Sequence, residues 1–499
     1  MTDPEEAEVA AWFAARAERT IETACARVFL AGDAAFKVKR RVELGYLDYS
    51  TPELRLWALE RELAFNRAAT SDIYRAVRRL TRAAAGGLEL DGAGPVVEHV
   101  LEMRRFDDGA VLSVQPWALD GPLCDALGRT VARAHDAAPL RPQGGGGKAL
   151  KYTIDSNARL LRELGPRLGE TRVARVVAAT DAEFARRAAL LDARREAGFA
   201  RRCHADLHLG NILLEDGRPV LFDCIEFNDV LSEIDVLYDL AFLLMDLSFR
   251  RRRDGAVRVL SAYLDEAART FPAALWEGLA ALPLMMSVRA GVRAHVSAHS
   301  GDDAAAVAYL DAALDHLEPP PPRLAAVGGL SGVGKSSVAR LIAPGLGAAP
   351  GAVVLRSDEI RKRLAGVAAD QPLPPEAYTP QRSAAVYDAL FEDVARGLAA
   401  GCAVVLDATF LDPEHRRRAA MAALAAGVRF DGLWLSAPPE ALAARIGARR
   451  GDASDADAET LATQMALDPG PIDWLDVDAS GPAQDVAERW AASAAAMTS

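Results

Sequence analysis

The stretch HADLHLGNILLEDGRPVLFDCIEFN (204–228), together with the shorter GLSGVGKS (329–336), decides how this chain is read. In the first, Asp206 and Asn211 share one loop, and the apolar run VLFD then delivers Asp223. Phosphoryl transfer to a hydroxyl needs a carboxylate to take the hydroxyl proton and oxygen ligands to hold magnesium on nucleotide phosphates; this order of acid, amide and acid supplies both. In the second, glycines let backbone N–H groups close around phosphates, Lys335 reaches the β- and γ-phosphates, and Ser336 meets the magnesium. Gly329, Ser331, Gly332, Val333, Gly334, Lys335, Ser336 and Ser337 are the expected nucleotide-binding loop. One chain is therefore expected to hold two nucleotide sites of unrelated design.

Upstream of the first stretch, RVFLAG and AAFKVKR flank a Gly32-Asp33 turn, a hairpin signal. PELRLWALERELAFNRA has helical periodicity, and VVEHVLEMRRF (96–106) reads as a further strand. From Leu119 to Leu317 helical patterns dominate, with PQGGGGK (142–148) as a flexible loop between helical segments. EPPPP (318–322) is the clearest boundary, because proline removes donors and stiffens the backbone. Beyond it strands and helices alternate, which argues a parallel α/β sheet. The expected organisation is a small β-rich lobe (1–116), a helical lobe (117–318) and a P-loop domain (323–499). The fold class is thus an α+β bilobal kinase-like domain followed by an α/β P-loop kinase domain.

The segment 204–228 resembles the aminoglycoside phosphotransferase family and its choline-kinase-like relatives. The resemblance implies Asp206 as base and Asn211 and Asp223 as magnesium ligands. It also implies that Lys37 or Lys39 grips the nucleotide phosphates, with Glu62 as helix partner. Both lysines point to one strand face, so spacing does not choose between them, and Lys37 is favoured. Asp235 and Asp239 follow the family pattern and are expected to brace the catalytic loop, as are His204 and His208. Arg289 and Arg293, at i and i+4, are candidate substrate cations, with a surface salt-bridged face as the alternative. One departure stands out: Glu22-Thr23-Ala24-Cys25-Ala26 replaces the ETHIS of relatives, and no glycine-rich phosphate loop accompanies it.

In the last domain Asp407, within CAVVLDATF (402–410), holds a Walker-B-like position suited to a second metal ligand. Asp358 lies just past a strand end, where open α/β sheets bind ligands, and can orient a substrate hydroxyl; helix capping is its alternative. Arg361 beside it is a candidate substrate contact. ALAARIGARRGDASDADAETL (441–461) resembles the arginine-bearing lid of small P-loop kinases such as gluconate kinase, polynucleotide kinase and zeta-toxin relatives. That implies Arg445 and Arg449 as stabilisers of the transferring phosphate. An AAA+ motor is disfavoured, since Ala408 stands where such a motor usually places glutamate. Both halves in this order resemble fused bacterial proteins described as an aminoglycoside-phosphotransferase-like domain plus an ATP-binding domain.

A net charge of −12 argues against a general nucleic-acid partner, whose electrostatic footprint is usually basic. The apolar run around 237–247 carries Asp239 and Asp246, and no stretch reads as a membrane helix. The acidic start lacks the features of a secretory signal, and the five cysteines form no CxxC pair, so reduced thiols in a cytoplasmic protein are expected. The expected cofactors are ATP and Mg²⁺, and the expected partner is a hydroxyl-bearing small molecule such as a sugar or amino sugar. Two alternatives stand beside this: one catalytic domain with the other a nucleotide-gated sensor, or a P-loop ATPase switch without an acceptor.

Overall fold

The computed structural model describes residues 4–44, 47–69, 72–448 and 453–496. They fall into two compact units, the first drawing on the segments up to Leu119, Ala138–Gly145 and Ala200–Asp239. Its main sheet has strands β1 (Arg19–Glu22), β2 (Ala26–Ala31), β3 (Ala34–Lys39), β4 (Tyr74–Arg82), β5 (Leu88–Leu90) and β6 (Val96–Arg104). Their spatial order is β1-β2-β3-β6-β4-β5, antiparallel throughout. The expected hairpin forms at Gly32-Asp33, with Ala31 opposite Ala34. Alternation then sorts the side chains to two faces. Phe29, Val38, Leu80 and Val100 pack under helix α1 (Pro4–Ala14), whose Phe13 stacks on Phe29 at 5.2 Å. Leu30, Ala35, Leu101 and Met103 face the other way, onto Leu59 and Leu213.

Leu59 belongs to α2 (Pro52–Ala69), which starts where sequence chemistry says it should. Thr51 Oγ1 accepts the Leu54 N–H at 3.3 Å, and proline occupies the first helical position. The rest of this unit is built from β7 (Ala200–Arg202), the hairpin β8 (Ile212–Glu215) and β9 (Arg218–Leu221), and β10 (Glu233–Asp235), which pairs with β7. The glycine run read as a flexible loop is closely packed instead. A Cβ on Gly144 would lie 2.6 Å from Glu233, and one on Gly145 would lie 2.7 Å from the Ala200 side chain. These glycines are there because backbone approaches β7 and β10 too closely for a side chain.

The second unit joins helices α3 (Gly121–Ala137), α4 (Gly146–Glu163), α5 (Glu170–Glu196), most of α6 (Val236–Phe249), α7 (Arg253–Ala267), α8 (Leu282–His299) and α9 (Asp303–Leu317) to the P-loop domain. That domain has a five-stranded parallel sheet: β11 (Arg323–Gly328), β12 (Val353–Arg356), β13 (Val404–Asp407), β14 (Arg429–Ser436) and β15 (Leu475–Asp478), in the order β12-β13-β11-β14-β15. Around it lie α10 (Lys335–Ile342), α11 (Ser357–Leu364), α12 (Pro380–Ala399), α13 (Pro413–Ala426), α14 (Pro439–Ala448), α15 (Ala458–Met465) and α16 (Ala483–Ala496). The alternating pattern anticipates four of the five strands. It does not anticipate β15, whose LDVD is mostly exposed and short of apolar residues.

The proline boundary is where the chain crosses into the P-loop domain, but it does not separate two independent bodies. Edge strand β12 is covered by α7, which removes an unpaired sheet edge. Val354 N–H donates to Ser261 Oγ at 3.0 Å, Arg253 Nε donates to the Pro350 carbonyl at 3.0 Å, and Val257 belongs to the P-loop core cluster. Ion pairs continue the junction: Arg129 to Glu359 at 3.4 Å and Arg363 to Asp265 at 3.3 Å.

Burial and the Glu359 charge push the Asp265 carboxyl up to about 6, against the opposing guanidiniums of Arg363, Arg269 and Arg129. An acid that binds its proton more tightly when folded contributes stability that is complete below its unfolded pKa of about 4 and is lost as pH rises through about 6. The stability difference between wild type and Asp265→Asn, from urea unfolding, is therefore expected to shift against wild type by about 1 kcal/mol between pH 5 and pH 8. A difference that stays flat would show that Asp265 is ionised throughout.

Candidate active sites

In the first unit the loop after β7 carries His204, Asp206 and Asn211, and β9 runs out into Asp223. Two non-glycine residues here, Ala205 and Asp223, have φ of +71° and +62°, a costly backbone that persists only where neighbours hold it. Asp239 does so for Ala205: its carboxylate accepts the N–H groups of Ala205 (2.7 Å) and His204 (3.1 Å). Asp235 accepts the Leu237 N–H at 2.8 Å instead. Tyr74 Oη takes the Asp223 N–H at 3.0 Å. His204 Nε2 donates to the Phe222 carbonyl at 2.8 Å, tying the loop to the strand that delivers Asp223. His208 Nδ1 accepts the Gly210 N–H at 3.0 Å, so both histidines are engaged within the loop. Asn211 donates its amide to Asp206 Oδ2 and to the Asp206 carbonyl, each at 2.9 Å, which leaves the amide oxygen as its ligand atom.

Glu62 is fully buried and bonds both lysines: Oε1 to Lys37 Nζ and Oε2 to Lys39 Nζ, each 2.6 Å. Lys37 also reaches Asp223 Oδ1 at 2.7 Å, whereas Lys39 turns to Glu226 Oε1 at 2.7 Å. Tyr49 donates to the same Glu226 oxygen at 2.6 Å. Burial alone would lower the proton affinity of Lys37, but the carboxylates of Asp223, Glu62 and Glu226 outweigh it and hold the ammonium charged. Lys37 is thus the lysine beside the proposed metal carboxylate, and Lys39 is part of a buried brace. Two ammoniums thus face the three carboxylates of Glu62, Asp223 and Glu226. Glu226 and Tyr49 are not singled out by the sequence reading, although Glu226 lies within the segment 204–228. Elsewhere in this unit a cavity of about 640 Å³ is lined by Leu30, Phe106 and Leu213 with charged residues including Arg104 and Asp108, and by none of the candidate site residues.

In the P-loop domain the loop runs from β11 into α10. Gly329, Gly332 and Gly334 have φ of +132°, +84° and +103°. A Cβ on Gly329 would sit 2.5 Å from the Leu435 carbonyl, and one on Gly332 would sit 2.7 Å from that of Leu442. Only glycine keeps this path, so Gly329→Ala is expected to weaken nucleotide binding at this loop about tenfold to a hundredfold, through roughly 1–3 kcal/mol of strain. Titration of a nucleotide analogue measures it, and unchanged affinity would mean the loop relaxes freely. Lys335 Nζ donates to the Leu330 carbonyl at 3.0 Å, and Ser337 is exposed on the first turn of α10.

Register brings the metal candidates together: Asp407 is opposite both Val327 of β11 and Arg356 of β12. Arg356 donates to Asp407 Oδ2 and to Ser336 Oγ, each at 3.1 Å. Both oxygens therefore already turn toward one positive charge, which is what a magnesium site would ask of them. Asp358 follows directly; burial raises its proton affinity, Arg356 lowers it, and Asp407 raises it again. Arg361 donates to the Ala377 carbonyl at 2.8 Å and lies over the Tyr378 ring.

The remaining arginines occupy places their spacing does not reveal. Arg445 donates to the Val333 carbonyl of the P-loop (3.1 Å) and to the carbonyls of Ala479, Ser480 and Gly481. Arg449 lies outside the described residues. Arg289 is buried against the Phe242 ring, and Arg293 stands over Tyr309, both within the helical lobe. A surface salt-bridged face is thus excluded for Arg289.

Two family models match these sites: one described as "Phosphotransferase enzyme family" over residues 49–282, and one described as "AAA domain" over 324–469. An uncharacterized protein of Mycobacterium tuberculosis (strain H37Rv) is 34% identical over 484 residues, 92% of each chain, and one from Mycobacterium bovis matches equally. The chain belongs to their family, in which a phosphotransferase-type kinase domain is fused to a P-loop kinase domain. Among solved structures, a gluconokinase from Sinorhizobium meliloti matches 36% of this chain and 93% of its own, with 26% identity and a TM-score of 0.26. A thermostable mutant of aminoglycoside phosphotransferase APH(4)-Ia matches 60% of this chain and 93% of its own, with 15% identity and a TM-score of 0.37. Among the described residues of this fused-kinase chain, no helix is long and apolar enough to cross a membrane.

Proposed function

We propose that this protein is an ATP- and magnesium-dependent phosphotransferase with two nucleotide sites, acting on hydroxyl groups of small molecules such as sugars or amino sugars. The observation that supports the reading is that candidate ligand oxygens in each domain already meet a cationic side chain: Asp223 meets Lys37, and Ser336 with Asp407 meets Arg356, while Asn211 bonds Asp206 on the catalytic loop. Asn211 and Asp223 would hold magnesium in the kinase-like domain, Ser336 and Asp407 in the P-loop domain. Bound magnesium–nucleotide supplies the phosphoryl group and neutralises its charge.

The chain's own groups then have separate tasks. Asp206 accepts the hydroxyl proton of the acceptor, and Asn211 keeps that carboxylate aimed through the 2.9 Å hydrogen bond. Lys37, held by Glu62, offers a fixed ammonium to the phosphates. In the P-loop domain the backbone N–H groups of the loop and Lys335 cradle phosphate, and Asp358 is the candidate base. Arg445 holds the P-loop through the Val333 carbonyl, and Arg361 holds the 375–383 segment through the Ala377 carbonyl and Ser383.

The test is ATP consumption by the purified full chain with magnesium, over a panel of sugars, amino sugars and nucleosides, in wild type and in Asp206→Asn and Lys335→Ala. Stimulation by one compound that disappears in one variant and survives in the other would assign substrate and site together. Unstimulated turnover lost only in Lys335→Ala would replace the two-kinase reading with a P-loop ATPase carrying a kinase-like binding domain.

A further inference from the structure

The contacts of Arg356 run from the P-loop into the helical lobe. Its guanidinium, buried at the end of β12, donates to Ser336 Oγ (3.1 Å), Asp407 Oδ2 (3.1 Å) and Glu359 Oε1 (3.2 Å). That same Glu359 oxygen also takes Arg129 Nη2 of α3, at 3.4 Å. Helix α3 is fastened around this point by a second pair of contacts, since Asp125 meets Arg258 of α7 at 2.5 Å and Arg340 of α10 at 3.4 Å. A third set, Arg363 to Asp265 (3.3 Å) and to Asp393 (2.6 Å), ties α11 to α7 and α12.

Ser336 and Asp407 are the oxygens assigned above to magnesium. Two like charges brought this close repel, and a divalent ion repels a guanidinium twice as strongly as a monovalent one would. Arg356 and the metal therefore compete for one pair of oxygens. Glu359 is the anion toward which Arg356 can withdraw, and Arg129 holds part of the charge of that carboxylate. We infer that Arg356 is a positioning residue through which the helical lobe, by way of Arg129 and Glu359, tunes metal–nucleotide affinity at the P-loop. The inference rests on the reading of the P-loop as a magnesium–nucleotide site. Binding linkage is reciprocal, so nucleotide at the P-loop must act back on α3 by the same factor.

The experiment is calorimetric titration of the full chain with a non-hydrolysable ATP analogue, with Mg²⁺ and with EDTA, in wild type, Arg129→Gln, Arg356→Gln and the double variant. The binding step absent in Lys335→Ala is that of the P-loop. Arg129→Gln is expected to tighten this step by about fivefold or more in Mg²⁺ and to leave it unchanged in EDTA. Because Arg129 acts through Arg356, the double variant is expected to bind no tighter than Arg356→Gln. Wild-type affinity in Arg129→Gln, or full additivity in the double variant, overturns the coupling while the P-loop reading stands. If Lys335→Ala removes no step, the P-loop reading falls and the coupling falls with it. Hydrogen exchange on the wild type needs no folded variant of the network. The exchange of α3 amides (121–137) should change on adding Mg²⁺ and analogue, and should not change in Lys335→Ala. Identical α3 exchange in wild type with and without analogue would overturn the inference.

Discussion

An alanine at Glu62 is expected to destabilise the first unit by about 3–5 kcal/mol, the usual consequence of removing one member of a buried ion cluster. Glu62 has no exposed surface, and its two oxygens each hold a different lysine at 2.6 Å. Without it, Lys37 keeps Asp223 and Lys39 keeps Glu226, but two ammoniums then share one burial site with less opposing charge. Burial and the nearby Lys37 lower the proton affinity of Lys39, Glu226 and Glu62 together raise it above the usual value, and the alanine removes one of those two carboxylates. Glu62→Gln should fall between wild type and alanine, because it keeps the shape and one acceptor while removing the charge. The measurement is the urea midpoint at constant m. A loss below about 1 kcal/mol for alanine would mean that the lysines find other partners. The same variant should weaken nucleotide binding in the kinase-like domain and spare the P-loop, since Lys37 loses the group that fixes its position.

How far the sequence reveals this site depends on the range of the contacts involved. Asp206, Asn211 and Asp223 are legible because one loop and one short hairpin deliver them, so spacing along the chain already encodes their grouping. Lys37 and Lys39 are legible as a pair from strand alternation. Choosing between them requires knowing that Asp223, far along the chain, meets the first and Glu226 meets the second. Tyr49 and Arg356 illustrate the limit. Each acquires its meaning from partners on other elements, Glu226 for one and Ser336 with Asp407 for the other. Arg445, read with Arg449 as a phosphate-closing pair, and Arg361, read as a substrate contact beside Asp358, both donate to backbone carbonyls, contacts that spacing does not reveal. The packing of α7 over β12 escapes pattern reading altogether, since proline marks where the chain leaves one domain and says nothing about what that domain later covers.

Asp206→Asn is expected to lower acceptor-dependent turnover at the kinase-like site by about 10²–10⁴, the range of a lost general base. The substitution is chosen because its structural cost should be small. Asp206 Oδ2 accepts the Asn211 amide at 2.9 Å and lies 3.5 Å from His208 Nε2. An asparagine oxygen can keep the first contact, and the second is already too long for a strong hydrogen bond. The loop is also fastened independently of residue 206, through Asp239 on the His204 and Ala205 amides and His204 on the Phe222 carbonyl. Stability should therefore stay within about 0.5 kcal/mol of wild type. What asparagine cannot do is take a proton from a hydroxyl. A fall in kcat with little change in KM is the signature expected of a group that acts in the transition state. A fall in kcat accompanied by lost stability would point instead to a damaged loop, which is the result predicted for Asp239→Ala. Retention of more than about a tenth of wild-type turnover by a folded Asp206→Asn protein would remove Asp206 from the role of base.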